Sequence, residues 1–318
     1  MDKLKPYVIG VDLGGTNTVF GIVSARGEVI AQDSIKTKQH KTAAEFVEAG
    51  LACLRPLVTQ VGGIEQIQGM GIGAPNGNYY NGTIEFAPNL PWAHDGVIPL
   101  AQLFSDALGI PVKLTNDANA AAMGELWKGA GAGYSSLVLV TLGTGIGAGV
   151  VLDGKVLAGA SGAAGELGHV IVNPAETRQC GCGRHGCLEQ YASATGIVNS
   201  YRLECEKRGC ELVELSGPSD SRSVFEALAA GDEAARAAVD TMAGALGFEL
   251  ANAACSFDPE VFVLGGGVSA GAEHYLDRVT EVFKKMTLSC CAGTPITIAS
   301  LGNDAGMLGA AYYAVTNA

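Results

Sequence analysis

The feature that most constrains the fold of this chain is a pattern that occurs twice. Tyr7 to Asp12 is apolar and β-branched, Gly14-Gly15-Thr16 turns, Thr18 to Ser24 runs back, Arg26-Gly27 turns again, and Glu28 to Ile35 makes a third strand. The plan returns at Leu137-Val-Leu-Val-Thr141, with a turn at Gly143-Thr-Gly145, a run from Ile146 to Leu152, a turn at Asp153-Gly154 and a last run from Val156. Val11-Asp-Leu-Gly-Gly-Thr16 aligns with Val140-Thr-Leu-Gly-Thr-Gly145 as an internal duplication, at a spacing far too long for a solenoid. We therefore expect an α/β fold of two related lobes, each with a Gly-rich hairpin at its inner edge, facing each other across a cleft. The length agrees, since 318 residues exceed the ~250 at which one core usually stops growing. Residues 1–117 are expected to form a small amino-terminal lobe and 118–303 a large one, with a helix at about 304–318 packing back on the first.

Between the repeats, Thr42-Ala-Ala-Glu45 is a capping box opening a helix with Phe46, Val47, Leu51 and Leu54 on one side. Gln68 to Ala74 reads as a short buried strand, followed by a Gly/Asn/Pro-rich loop to about Pro91. Leu100 to Leu108 reads as helix, Val112 to Thr115 as strand and Ala118 to Trp127 as helix. The second lobe adds a Cys/Gly-rich insertion, a capping box at Ser223-Val-Phe-Glu226 and a long Ala-rich helix from Asp232 to Ala254. Strands at Val261 to Leu264 and Ile296 to Ala299 precede a helix from about Ala305.

Composition removes several classes of function. Lys and Arg total 20 against 32 Asp and Glu, a formal charge of -12, so clustered basic surface for nucleic acid is not expected. Hydrophobic residues at 48% exclude a disordered chain. The uncharged stretch from Lys128 to Asp153 is rich in glycine and splits into two short apolar runs, which suits two strands rather than a membrane span. Nine cysteines, an odd number at uneven spacing, with too short an apolar run near the amino terminus for a signal core, predict reduced thiols and a cytoplasmic protein.

Three clusters carry chemistry. Asp12-Leu-Gly-Gly15-Thr16, Gly143-Thr-Gly145-Ile-Gly147 and Gly265-Gly266-Gly267 each follow a strand and suit either an ordinary tight turn or a cradle of backbone N–H groups for phosphate. No Gly-Lys-Ser/Thr occurs, and too little chain follows Gly265 to complete a dinucleotide fold around its Gly-x-Gly-x-x-Ala pattern. Asn116-Asp117-Ala-Asn119 lies where a strand feeds a helix, so Asp117 is either a helix cap or, at the lobe junction, a general base. The third cluster is Glu166-Leu-Gly-His169 followed by Cys180-Gly-Cys182-Gly-Arg-His-Gly-Cys187-Leu-Glu189. Three cysteines in that spacing suit tetrahedral zinc, with His169 as fourth ligand and His185 as its local competitor. Cys53, Cys205, Cys210, Cys255, Cys290 and Cys291 lack ligand spacing, His40 and His274 suit solvent-exposed positions, and Trp92 and His94 suit either packing or the wall of a cleft.

Taken together, these segments resemble the ROK family of sugar kinases and repressors, within the actin/hexokinase-type ATPase fold with its ribonuclease H-like lobes. The resemblance runs from Asp12-Leu-Gly-Gly-Thr-Asn17 to Asn303-Asp-Ala-Gly306 and is strongest at Glu166-x-x-His169 with Cys180-Gly-Cys182-Gly-x-x-Gly-Cys187-Leu-Glu189. Within the family the sequence is most similar to bacterial glucokinases, which implies an ATP-dependent enzyme making glucose 6-phosphate. It further implies Asp117 as the base, Asn116, Glu166, His169 and Glu189 as partners of the other sugar hydroxyls, and His169, Cys180, Cys182 and Cys187 as ligands of a structural zinc. ATP phosphates are implied at Gly14, Gly15 and Thr16 and at Thr141, Gly143, Thr144 and Gly145, adenosine at Gly265 to Gly267, and Asp12 near magnesium.

The acidic chain offers no general attraction to an anionic sugar, which fits a neutral hexose. The alternatives are a kinase for N-acetylmannosamine or N-acetylglucosamine, a sugar-responsive repressor and a non-catalytic sugar-binding protein. The first strand begins near Tyr7, which leaves no room for the winged helix of the repressor branch. A homodimer or homotetramer is expected, with no nucleic acid or membrane as partner.

Overall fold

The computed structural model describes residues 5–316. In chain order the elements are β1 (Tyr7–Leu13), β2 (Asn17–Ser24), β3 (Val29–Lys36), α1 (Ala43–Gln60), β4 (Ile67–Ala74), β5 (Gly77–Asn78), β6 (Thr83–Glu85), β7 (Val97–Ile98), α2 (Leu100–Leu108), β8 (Val112–Asn116) and α3 (Asp117–Lys128). There follow β9 (Leu137–Leu142), β10 (Ile146–Leu152), β11 (Lys155–Val156), α4 (Glu189–Ala192), α5 (Ala194–Arg208), α6 (Ser221–Ala229), α7 (Glu233–Phe257), β12 (Val261–Gly265), α8 (Leu276–Met286), β13 (Ile296–Ile298) and α9 (Ala305–Thr316).

The duplication seen in the sequence is a duplication of topology. One five-stranded sheet has the order β3-β2-β1-β4-β8 and the other β11-β10-β9-β12-β13. In the first, β1 pairs antiparallel with β2 and parallel with β4, and β4 pairs parallel with β8. In the second, β10 pairs antiparallel with β11, while β12 pairs parallel with both β9 and β13. Tight hairpins make the antiparallel pairs, and helical crossovers make the parallel ones.

The chain forms two compact units, one of residues 1–135, 149–164 and 300–318, the other of 136–148 and 165–299. In the first, strand alternation sends Ile9, Val11 and Leu13 into a core with Phe20, Phe46 and Phe104. Val8 and Val23 join a separate cluster with Met307, Leu308 and Ala311 of α9. Asp12 shares the second parity with Val8, which points its side chain toward the α9 side of the sheet.

The expected boundary at residue 117 falls inside the first unit, between β8 and α3. The reason is helix packing: an added Cβ at Gly124 would strike the Ala305 carbonyl, and one at Gly309 the Ala120 carbonyl, so α3 and α9 approach through bare backbone. Such contact holds α3 in the unit that contains β8.

Two local expectations differ from the structure. The loop expected up to Pro91 contains β5 and β6, which pair antiparallel with each other, and β7 completes a three-stranded sheet. Ser223-Val-Phe-Glu226 does not open its helix; α6 starts at Ser221, and Asp220 accepts from the Ser223 N–H at 3.2 Å. An anionic acceptor outcompetes a hydroxyl for the cap, and Glu226 pairs instead with Arg222 at 2.9 Å. By contrast, Thr42 caps α1 by accepting from the Glu45 N–H at 3.2 Å.

Candidate active site

In the first unit the register sets two carboxylates near one end of the sheet. Asp12 lies opposite Gly73 on β4, Gly73 lies opposite Thr115 on β8, and Asp117 follows two residues beyond Thr115. Asn116, not Asp117, is the amino-terminal cap of α3; its Oδ1 accepts from the Ala118 N–H at 2.9 Å. Asp117 is the first helical residue and its Oδ1 accepts from the same N–H at 2.8 Å. Asp117 is itself exposed, and the protein packed around it raises its pKa above the ordinary carboxylate value. Asp12 is raised to about 6, first by burial and then by the Asp117 charge. Gly306 at the start of α9 makes room for this group, because a Cβ there would lie 2.7 Å from the Asp12 carboxylate.

The adjacent hairpin is closed by the Gly14 N–H, which donates to the Asn17 carbonyl at 3.0 Å. The Gly14 carbonyl accepts from Thr37 Oγ1 at 2.8 Å, and that oxygen lies 2.8 Å from Thr18 Oγ1. Gly14 and Gly15 are half-buried and Thr16 is exposed. An added Cβ at Gly14 would lie 2.9 Å from the Asn17 carbonyl oxygen.

In the second unit the corresponding turn leads from β9 to β10. The Gly143 N–H donates to the Gly145 carbonyl at 2.9 Å, and Thr141 Oγ1 to the Gly147 carbonyl at 3.1 Å. The outer side of the turn is held by the start of α5: Ala194 N–H donates to the Gly143 carbonyl at 2.8 Å and Thr195 Oγ1 to the Thr144 carbonyl at 3.0 Å. Gly266 has φ +82°, and a Cβ there would strike the Leu142 carbonyl, so the Gly265–Gly267 corner rests against the end of β9. Around Gly267 there is open space.

Glu166 is exposed and immediately precedes the short 3-10 turn Leu167–His169. The ligand atoms of His169, Cys180, Cys182 and Cys187 all lie within 4.8 Å of one another. Cys180 Sγ is 3.6 Å from His169 Nδ1, and Cys182 Sγ is 3.6 Å from Cys187 Sγ. Zn–S bonds of ~2.3 Å at tetrahedral angles require S···S edges of about 3.8 Å, so the donor set and its spacing fit zinc. His185 is exposed and stands outside this group, across a bridge from Gln179. Burial pushes the Cys187 thiol up to about 12, whereas hydrogen bonds from Arg184 pull Cys182 down to about 6. Glu189, the first residue of α4, accepts from the Ile146 N–H and from the Cys180 thiol.

Trp92 takes the packing role: its ring stacks on Phe46 at 4.5 Å and its Nε1 donates to the Thr37 carbonyl at 3.3 Å. The sequence reading missed Glu125, a fully buried carboxylate on α3. It accepts from the N–H groups of Ala130 at 2.8 Å and Leu301 at 2.9 Å, tying the segment before α9 to α3. Its signal was its isolation as the one charge among Ala118 to Trp127.

A model of the ROK family matches residues 8–317. The chain belongs to the ROK family. It is 37% identical over 310 residues to a glucokinase of Halalkalibacterium halodurans, covering 95% of this chain and 93% of that one. The ROK hexokinase of Thermus thermophilus has the same fold, with a TM-score of 0.83 at 34% identity over 98% of both chains. A ROK family glucokinase from Streptomyces griseus, solved in complex with glucose and AMPPNP, has a TM-score of 0.71 at 33% identity, covering 96% of this chain and 98% of that one. The α/β fold is thus that of the ROK sugar kinases, the actin/hexokinase type that the family resemblance implied.

Proposed function

We propose that this ROK protein is an ATP-dependent glucokinase that phosphorylates the 6-hydroxyl of glucose. The observation that carries the reading is the register that sets Asp12 on β1 and Asp117 just beyond β8 near one end of the same sheet, with only β4 between the two strands. Similarity over nearly the whole chain to a glucokinase, and to a glucokinase bound to glucose and AMPPNP, supports it.

Phosphoryl transfer asks a protein for position and charge neutralisation more than for covalent chemistry. Asp117 accepts the proton of the attacking hydroxyl; the oxygen bonds to the terminal phosphorus, and the bond to the bridging oxygen breaks to release ADP. A carboxylate raised toward neutrality is better matched to that proton than an ordinary one. Asn116, Glu166, His169 and Glu189 take the remaining hydroxyls, and an inverted hydroxyl leaves one of these polar groups without its partner in the substrate-filled site, which is a basis for selection. The turns at Gly14 to Thr16 and Thr141 to Gly145 offer backbone to the phosphates, with Gly265 to Gly267 beside the adenosine.

Asp12 would help hold magnesium, which would supply charge neutralisation of the phosphates. His169, Cys180, Cys182 and Cys187 would hold zinc, which would supply rigidity to a glycine-rich insertion that ends two residues before Glu189 and so would fix the position of that residue. The cysteines, free of disulfides, fit a cytoplasmic setting.

The test is ADP release in a coupled assay with magnesium ATP and a panel of glucose, mannose, fructose, N-acetylmannosamine and N-acetylglucosamine. Glucose is expected to show the highest kcat/KM. A preference for an acetylated amino sugar replaces the substrate but keeps the chemistry; no turnover with any of them overturns the proposal.

A further inference from the structure

Beside the edge strand β8, the first unit holds a cavity of about 390 Å³, within the range of small-molecule sites. None of the residues assigned to the kinase reaction lines it. Its walls include Tyr79, Tyr80 and Asn81 from the connection between β5 and β6, Gln102 from α2, Lys113 from β8 and Tyr313 from α9.

The chemistry of the wall is uneven. The Tyr79 ring meets the exposed Tyr80 edge to face at 5.2 Å and lies 5.8 Å from Tyr313, which makes one side an aromatic surface. Such a surface packs the C–H face of a sugar ring while its hydroxyls keep polar partners. Lys113 is half-buried, and it forms no ion pair among the described residues. No acidic residue lines the cavity, although the chain carries a net charge of -12. Lys113 thus brings a cation to a cavity lined by no acidic residue, and a bound anion would complement it. Gln102 donates its amide N–H to Asp106 at 2.6 Å, which leaves its carbonyl oxygen to accept from a hydroxyl.

Two connections run from this cavity toward the proposed hexose residues. Lys113 shares β8 with Asn116, and Asp117 follows directly. The Tyr80 hydroxyl donates to the Gly159 carbonyl, in the stretch that leads through Ala164 and Gly165 to Glu166. An occupant touching Tyr80 and Lys113 thus bears on segments that carry the base and one sugar-hydroxyl partner.

We propose that this cavity is a second ligand site, for a small phosphorylated sugar, whose occupancy changes hexose affinity through β8 and the Tyr80–Gly159 link. The effect on hexose rests on the kinase reading; the binding event does not. Coupling of this kind requires only that the ligand bind one arrangement of these segments better than another.

The test is calorimetric titration of glucose 6-phosphate into protein saturated with glucose and AMPPNP, with inorganic phosphate as the comparison probe. Saturable binding is expected, weakened about tenfold or more in Lys113→Gln and in Gln102→Ala, each with an unchanged thermal midpoint. No saturable binding, binding unaltered in both variants, or phosphate bound as tightly as the sugar phosphate overturns the proposal. The readout is binding rather than turnover. A protein that lacks kinase activity yet takes up the sugar phosphate through Lys113 therefore defeats the kinase reading alone.

Discussion

Glu189 Oε2 accepts a hydrogen bond from the Ile146 backbone N–H at 3.0 Å, so a side chain at the end of the cysteine insertion is seated against the Gly-rich turn of the second repeat. Its other oxygen takes the Cys180 thiol at 3.7 Å. One carboxylate thus joins the proposed zinc cluster, the proposed sugar contacts and the turn proposed for phosphate. The seat depends on Gly145, where an added Cβ would lie 2.5 Å from Glu189 Oε2. Gly145→Ala is expected to displace that carboxylate and raise the glucose KM about tenfold, with a thermal midpoint within about 3 °C of the parent. Steady-state kinetics with each substrate varied in turn checks this; an unchanged glucose KM removes Glu189 from the hexose contacts.

The closeness of Glu189 to the cysteine cluster, two residues beyond Cys187, predicts the consequence of losing metal. Elemental analysis is expected to give one zinc per chain, and Cys187→Ser to lose it, because the set of His169, Cys180, Cys182 and Cys187 has no spare ligand. With the cluster unpinned, Glu189 loses its fixed position, so glucose affinity falls more than nucleotide affinity. Calorimetric titration of each ligand into the variant reads the difference; native protein without zinc ends the metal assignment at once.

How much of this was legible beforehand follows from the range of each signal. Residues 11–16 and 140–145 carry their own turn chemistry, and the resulting sheets share one strand order. The small sheet of β5, β6 and β7 was not legible, since strands of two or three residues are too short to show alternation. The choice of His169 over His185 lay in tertiary placement, as both are near the cysteines in sequence. The unit boundary was missed for the same reason. Gly124 and Gly309 meet facing carbonyls on helices far apart in the sequence, and no local pattern reports that.

That helix contact gives a prediction about stability. Gly309→Val places a branched side chain where even a Cβ would strike the Ala120 carbonyl. A destabilisation of about 2 kcal/mol or more is expected, because overpacking against backbone cannot be relieved by a rotamer change. Urea unfolding checks it, and a change below about 0.5 kcal/mol shows that α3 and α9 separate without cost.

Asp117→Ala is expected to lower turnover by about two to four orders of magnitude, the range of general-base contributions. Folding is preserved, since Asn116 holds the cap of α3 by itself. Glucose still binds through its other partners, which calorimetry with the ligand reads directly. Turnover near the parent value takes Asp117 out of the mechanism.

Asp12 makes stability depend on pH in a definite direction. Its folded pKa is raised from 3.8 to about 6, chiefly by burial, so the folded state holds this proton more tightly than the unfolded chain does. The favourable contribution is fully present below about pH 4 and is lost as pH rises through about 6, where the buried carboxylate ionises. Integrated over that window the loss is at most about 3 kcal/mol at ~1.36 kcal/mol per pKa unit. Asp12→Asn keeps the shape and removes the charge. In ligand-free protein at pH 7.5 the variant is expected to be the more stable of the two, and below pH 4 the difference should vanish. Because the ionised form is the one suited to magnesium, the same variant should lose most of its turnover at neutral pH. Unfolding midpoints of both proteins from pH 4 to pH 8 decide the matter; curves that run parallel throughout show that Asp12 does not titrate in this window.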